Sequence, residues 1–242
     1  MTTRTRMVEL TGRVHHAGPG AGRPGGSTWR VPAALLLLSA IPLVAGSFRV
    51  LDVVGGPSLL PANPRLDSSP VPLVLHVAAA AVFAVLGAFQ FSARLRRRRP
   101  GWHRGAGRVL VVAGLLVALS GLWLTVFYPG APGGAVAWLA RLAAGSATAI
   151  SITLGLAAIR RRDIQAHRAW MIRAYALSLG AGTQAFTEGI AEAAVGAGDL
   201  SKAVALSSGW LINAAAAEWI IRRPSRRTAS KAPQRAALAS SR

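Results

Sequence analysis

The sequence predicts an all-α fold, a polytopic membrane bundle of six transmembrane helices with both termini in the cytoplasm. Of the 242 residues, 52% are hydrophobic and only 15% are charged, against about 25% charged in an average soluble chain. The charges sit in short runs between long apolar stretches, and six of those stretches approach the roughly 20 residues a helix needs to cross a bilayer. Lys and Arg, moreover, collect in alternate loops. These observations make the chain a multi-pass protein of a cell membrane, with the lipid bilayer as its principal partner.

The first span covers residues 31–50. Its core, Ala33 to Ala45, follows about 30 polar and basic residues, longer than the charged leader of a signal peptide, and so reads as an uncleaved span. The loop from Asp52 to Pro70 is rich in Gly, Pro and Asn, which stop a helix. Further spans follow at 71–93, 108–127, 135–159, 170–191 and 203–221, the fifth being the most polar. Together they make a transmembrane domain over 31–222, flanked by basic tails at 1–30 and 223–242. The tails carry too little apolar surface to offset the entropy of ordering and are expected to be disordered.

The cations fix the orientation. Lys and Arg number 5 in the leading tail, 7 from Arg94 to Arg108, 5 from Arg160 to Arg173 and 7 after Ile221. Only Arg49, Arg65, Arg141 and Lys202 fall on the other side. By the positive-inside rule, the first group is cytoplasmic, and an even number of spans returns both ends to that side. This topology accounts for the net charge of +20 without nucleic acid, although the cytoplasmic Arg clusters suit anionic lipid headgroups. The absence of Cys excludes disulfides, thiolate metal sites, iron–sulfur clusters and Cys nucleophiles. No phosphate-cradling loop, HExxH zinc pattern or nucleophile elbow occurs, and enzyme chemistry of the usual soluble kinds is not expected.

Three His lie in or beside spans. His103 precedes the third span, in Trp102-His103-Arg104, and His167 precedes the fifth, in His167-Arg168-Ala169-Trp170. Spans three and five run in the same direction, so the two imidazoles reach similar depth on the cytoplasmic side. If the helices are neighbours they can ligate opposite faces of one haem b, with Arg104 and Arg168 pairing its propionates. The competing reading makes them interfacial anchors among Trp and Arg. Gly105 and Gly107 argue for a loop around His103 rather than a rigid helix.

His76 lies inside the second span near its outer edge, and a seven-residue step places His76, Phe83 and Gln90 on one face. In the fifth span, Gln184, Glu188 and Glu192 recur every four residues. His76, Gln184 and Glu188 reach similar outer depth and define a candidate ligand pocket, while a helix end with Glu188 paired to Arg49 or Arg141 is the plainer alternative. Glu218 has Arg222 four residues on, and Asn213 is placed to join helices. Gly107, Gly114 and Gly121 form a stripe along the third span, which suits close helix packing.

Taken together, His76-Val77 with Gly87-Ala88-Phe89-Gln90-Phe91, Trp102-His103-Arg104 with Gly107-Arg108, and His167-Arg168-Ala169-Trp170-Met171-Ile172-Arg173-Ala174-Tyr175-Ala176-Leu177 resemble the uncharacterised bacterial membrane family known as domain of unknown function 2306 (DUF2306), over roughly 71–221. The resemblance implies a multi-span domain of the bacterial inner membrane without an assigned reaction. More distantly, the layout is similar to six-span haem-b carriers of the cytochrome b561 type. Those carriers use two His pairs on opposite sides, whereas this chain offers one inner pair and a lone His76, which leaves at most one such haem site.

The functional expectation is therefore an integral membrane protein to which the sequence assigns no biochemical function, the sharpest specific hypothesis being electron transfer through haem b or a quinone at the cytoplasmic side. Two alternatives stand beside it: a small-molecule or proton-linked transporter or sensor using the outer polar group, and a non-catalytic packing or lipid-organising subunit.

Overall fold

The structure is a computed structural model that describes residues 29–66 and 69–223. The expectation of disordered tails lies almost wholly outside the described residues. Within them every regular element is helical: α1 (Arg30–Val53), a single 3-10 turn (Pro64–Leu66), α2 (Val71–Gln90), α3 (Ala93–Arg98), α4 (Pro100–Phe127), α5 (Gly134–Arg160), α6 (Ile164–Ser178), α7 (Gly180–Val195) and α8 (Asp199–Arg222). Five of these, α1, α2, α4, α5 and α8, are long and apolar enough to cross a membrane. The fifth expected span instead divides at Leu179 into α6 and α7, of 15 and 16 residues.

The third span also differs from expectation, because α4 begins at Pro100 rather than near residue 108. Proline at the first helical position has its φ already set and lacks only an N–H that would have no intrahelical partner. The helix therefore takes in His103, Gly105 and Gly107, which corrects the expectation of a loop there. The preceding Arg run folds as the short α3, whose N-cap Ser92 accepts a hydrogen bond from the Leu95 N–H at 3.3 Å.

The helices close a ring. α1 packs on α2 and α7, α2 on α4, α4 on α5, α5 on α8, and α8 on α7. α6 leans on α5 and α8 and also touches α2 and α4, which brings Tyr175 and Leu179 into one buried cluster with Phe83, Leu110 and Ala113. The bundle's outer surface is apolar, with Leu37 74% exposed, Ile190 70% and Leu211 69%. A continuous apolar exterior of this kind is unstable in water and natural in lipid.

Small residues set the close approaches. The α2–α4 register places Gly121 against His76 and Gly114 against Phe83, where an added Cβ at Gly114 would stand 2.5 Å from the ring. Two of the three stripe glycines, Gly114 and Gly121, thus receive large side chains of the α2 face, whereas Gly107 has nothing within 4 Å. Gly87 lies under the Tyr175 ring and Gly182 against the Leu38 carbonyl, with no room for a methyl group at either.

Polar side chains tie the second half together. The Asn213 amide donates to the Ala176 carbonyl at 2.9 Å, and its oxygen accepts from the Thr183 hydroxyl at 2.8 Å, joining α8 to both α6 and α7. Asn213→Leu is expected to lower unfolding stability in detergent by about 1 kcal/mol, the ordinary worth of interhelical hydrogen bonds in a membrane. A thermal-unfolding comparison with the parent chain checks this.

Candidate functional site

The two inner His occupy equivalent places, each being the fourth residue of its helix. The His103 N–H donates to the Arg99 carbonyl at 3.1 Å, and the His167 N–H donates to the Asp163 carbonyl at 3.0 Å. Asp163 caps α6, its carboxylate accepting from the Ala166 N–H at 2.9 Å. Each imidazole therefore stands on the first turn of a rigid helix that follows an Arg run. α4 and α6 touch only lightly and are joined mainly through α5.

Their bonding differs. His167 Nδ1 lies 2.9 Å from the Gly155 carbonyl of α5. A carbonyl can only accept, so Nδ1 carries the proton and, in the neutral ring, Nε2 keeps its lone pair. This arrangement of a backbone acceptor behind the ring orients metal-ligating His generally. Gly155 permits it by letting α6 come close, since an added Cβ would stand 2.5 Å from Met171 Cε and 3.3 Å from Trp170 Cβ. No sequence signal marks a backbone acceptor, and the Gly155 contact was absent from the sequence reading.

His103 Nδ1 is buried and lacks a hydrogen-bond partner among the described residues. Arg96 and Arg104 set positive charge near His103. Gln90 Nε2 is likewise buried and unpartnered. The register that sets His76 against Gly121 and Phe83 against Gly114 brings Gln90 level with Gly107, one turn from His103, where an added Cβ would meet nothing within 4 Å. Arg104 and Arg168 are both exposed, and neither makes an ion pair among the described residues.

A side-chain network missed by the sequence reading lies along the same rim. Arg173 Nε–H donates to Glu218 at 2.6 Å and a second guanidinium N–H donates to its other oxygen at 3.2 Å. Arg222, the partner expected from spacing, stands farther away at 3.5 Å. The Arg173 guanidinium also lies 4.6 Å from the centre of the Trp170 ring, so Arg173 locks α6 to α8 beside His167.

The outer group is bonded piecemeal. His76 Nδ1 is 3.0 Å from the Ser120 hydroxyl of α4. The Gln184 amide, 8% exposed, donates to the Leu206 carbonyl of α8 at 3.1 Å. Glu188 pairs with Lys202 of α8 rather than with Arg49 or Arg141; Arg49 pairs with Asp52 at 2.8 Å. His76 is thus engaged with α4, and Gln184 and Glu188 with α8. Among the described residues no group of three or more His, Asp or Glu gathers as a metal cluster. A small cavity between α2, α4 and α6, lined by Phe83, Ala84, Val117, Tyr175, Ser178 and Leu179 among others, has room for about one water.

No curated protein and no solved structure matches the chain. The profile described as "Predicted membrane protein (DUF2306)" matches residues 73–221, from the second helix to the end of the last and across both inner His. A multi-helix apolar bundle matched over more than half its length in this way belongs to the DUF2306 family of membrane proteins.

Proposed function

We propose that this family member is a six-span, inner-membrane electron carrier that holds one haem b between His103 and His167 on its Arg-rich, cytoplasmic side. The observation that carries the reading is the state of one nitrogen on each ring. Both stand on the first turns of helices. The Nδ1 of His167 is occupied by Gly155 in the manner of a metal ligand, while His103 has a buried ring nitrogen without a partner.

Supporting a sixth crossing, the backbone hydrogen bonds continue through the break between α6 and α7: the Leu179 N–H donates to Tyr175, and the Gly182 N–H donates back to Leu179, both at 3.0 Å. The two pieces act as one kinked helix, and with six crossings the Lys and Arg distribution sets both ends inside.

Haem so held supplies reversible one-electron transfer. The chain's own residues supply the rest. His167 is oriented by the Gly155 carbonyl, and Arg173 fixes the helix beneath it. Arg96, Arg104 and Arg168 provide positive charge for propionates and raise the affinity of the rim for an electron.

The transporter reading finds less support, because Gln184 and Glu188 are engaged with α8 and His76 with α4. The test is an absorption spectrum of the detergent-purified chain from haem-replete cells. A Soret band with about one haem per chain is expected, and a colourless preparation overturns the reading in favour of a packing subunit.

A further inference from the structure

Four cations lie towards the end of the bundle opposite the Arg-rich rim, and two of them have carboxylate partners. Arg49 is paired with Asp52 and Lys202 with Glu188. The remaining two, Arg65 and Arg141, have no carboxylate partner among the described residues, and both hold carbonyls of the same loop between α4 and α5. Arg65 stands on the 3-10 turn and is held by main-chain carbonyls, its Nε–H donating to Pro129 at 2.8 Å and an Nη2–H to Tyr128 at 2.6 Å. Arg141, in the second turn of α5, donates from Nη2 to the Pro132 carbonyl at 2.7 Å. Its other terminal nitrogen, Nη1, is buried with no partner among the described residues.

Carbonyl oxygens satisfy N–H groups without neutralising charge. The charged group that acts on Arg141 is Arg65, another cation, and burial pulls the pKa of Arg65 below its ordinary value. Guanidinium groups stay protonated in proteins all the same, so two of them held together favour an anion between them.

The segments that carry the two arginines are tied to the bundle. The Tyr128 hydroxyl donates to the Ser69 carbonyl at 2.7 Å, and Leu66 and Tyr128 are 6% and 5% exposed. The loop between α4 and α5 is also pinned to α8, where the Gly133 N–H donates to Asp199 at 2.7 Å.

We propose that Arg65 and Arg141 form a binding site for a phosphate group, taken from a phospholipid headgroup or from a free phosphate, at the Arg-poor end of the bundle. Phosphate matches the planar, multi-donor geometry of paired arginines. The site is separate from the two inner His and does not rest on the haem reading.

The test uses the full chain in detergent. Native mass spectrometry follows retention of phosphatidylglycerol through delipidation, and thermal unfolding is followed with inorganic phosphate in millimolar steps at constant ionic strength. Wild type is expected to retain one phosphatidylglycerol or to be stabilised by phosphate. Lipid retention unaffected by phosphate identifies the headgroup as the source, and stabilisation by phosphate without retained lipid identifies free phosphate. Arg141→Gln should lower apparent affinity at least tenfold, and Arg141→Lys should recover part of it. The rival occupant is the carboxylate of Asp67, which lies in sequence two residues beyond Arg65. Binding that appears only in Asp67→Asn overturns the proposal, as does a wild type that neither retains lipid nor responds to phosphate, or an Arg141→Gln chain that binds as wild type does. Should Arg141→Gln fail to fold, the wild-type titrations and Arg141→Lys decide the matter.

Discussion

His167→Ala is expected to yield a folded protein that has lost its haem absorbance, and His103→Ala should do the same. Both residues sit on the first turns of long helices, where removal of an imidazole costs little packing. Loss of colour with unchanged helix content therefore assigns them to the cofactor and not to the fold. Gly155→Ala sharpens the assignment. The added methyl would stand 2.5 Å from Met171 Cε, which can swing aside, and 3.3 Å from Trp170 Cβ, so α6 is expected to give way by a few tenths of an ångström and the His167 Nδ1 contact to the Gly155 carbonyl to lengthen. Disturbing such a supporting bond typically weakens metal affinity about 10- to 100-fold. Haem titration of the apoprotein measures the loss. An affinity equal to wild type would show that the carbonyl contact is only structural.

Gly87→Val should have the largest effect on folding. Gly87 lies directly under the Tyr175 ring, which is 5% exposed, packs against Phe83 and Phe91 with ring centres 5.7 and 5.0 Å away, and donates its hydroxyl hydrogen to the Ala84 carbonyl at 2.8 Å. The ring is wedged between these aromatic neighbours and tethered by its hydroxyl, and the cavity beside it has room for only about one water, so it can retreat only a little. Overpacking a tight core costs about 1 to 3 kcal/mol, and valine here should reach the upper part of that range or prevent accumulation of folded protein. Tyr175→Leu in the same chain opens the space while sacrificing the hydroxyl bond. It should restore part of the lost stability, with a coupling that a double-mutant cycle reads directly. Additive losses would place Gly87 and Tyr175 out of contact.

The apolar spans were legible in the sequence because lipid imposes a length and a composition on a crossing helix, and α1, α2, α5 and α8 overlap the expected stretches closely. The break at Leu179 was not legible. Only the packing partners, Trp210 against Gly180 and the Leu38 carbonyl against Gly182, show that α7 is pressed between α1 and α8. The start of α4 was misplaced for a local reason, since two glycines suggested a loop while Pro100 supplied the helix start.

Among the candidate site residues, pattern alone picked out His103, His167, the seven-residue face of the second span and, separately, the glycine stripe of the third, but not that the two meet. It could not supply bonds to backbone carbonyls, such as those of His167 to Gly155 and Gln184 to Leu206, because a carbonyl acceptor has no residue signature. Charge partners far apart in sequence were equally hidden. Arg173 with Glu218 and Glu188 with Lys202 depend on which helices are neighbours, whereas Arg222, four residues from Glu218, was visible at once and proves the longer contact.

Electron paramagnetic resonance of the oxidised, purified protein tests the paired-His reading most directly, because two imidazoles on one iron give a low-spin ferric signal and one imidazole does not. Wild type should show the low-spin spectrum, and His103→Ala should convert to high spin or lose its iron. A wild type without haem, or a low-spin spectrum that survives in both His103→Ala and His167→Ala, would contradict it.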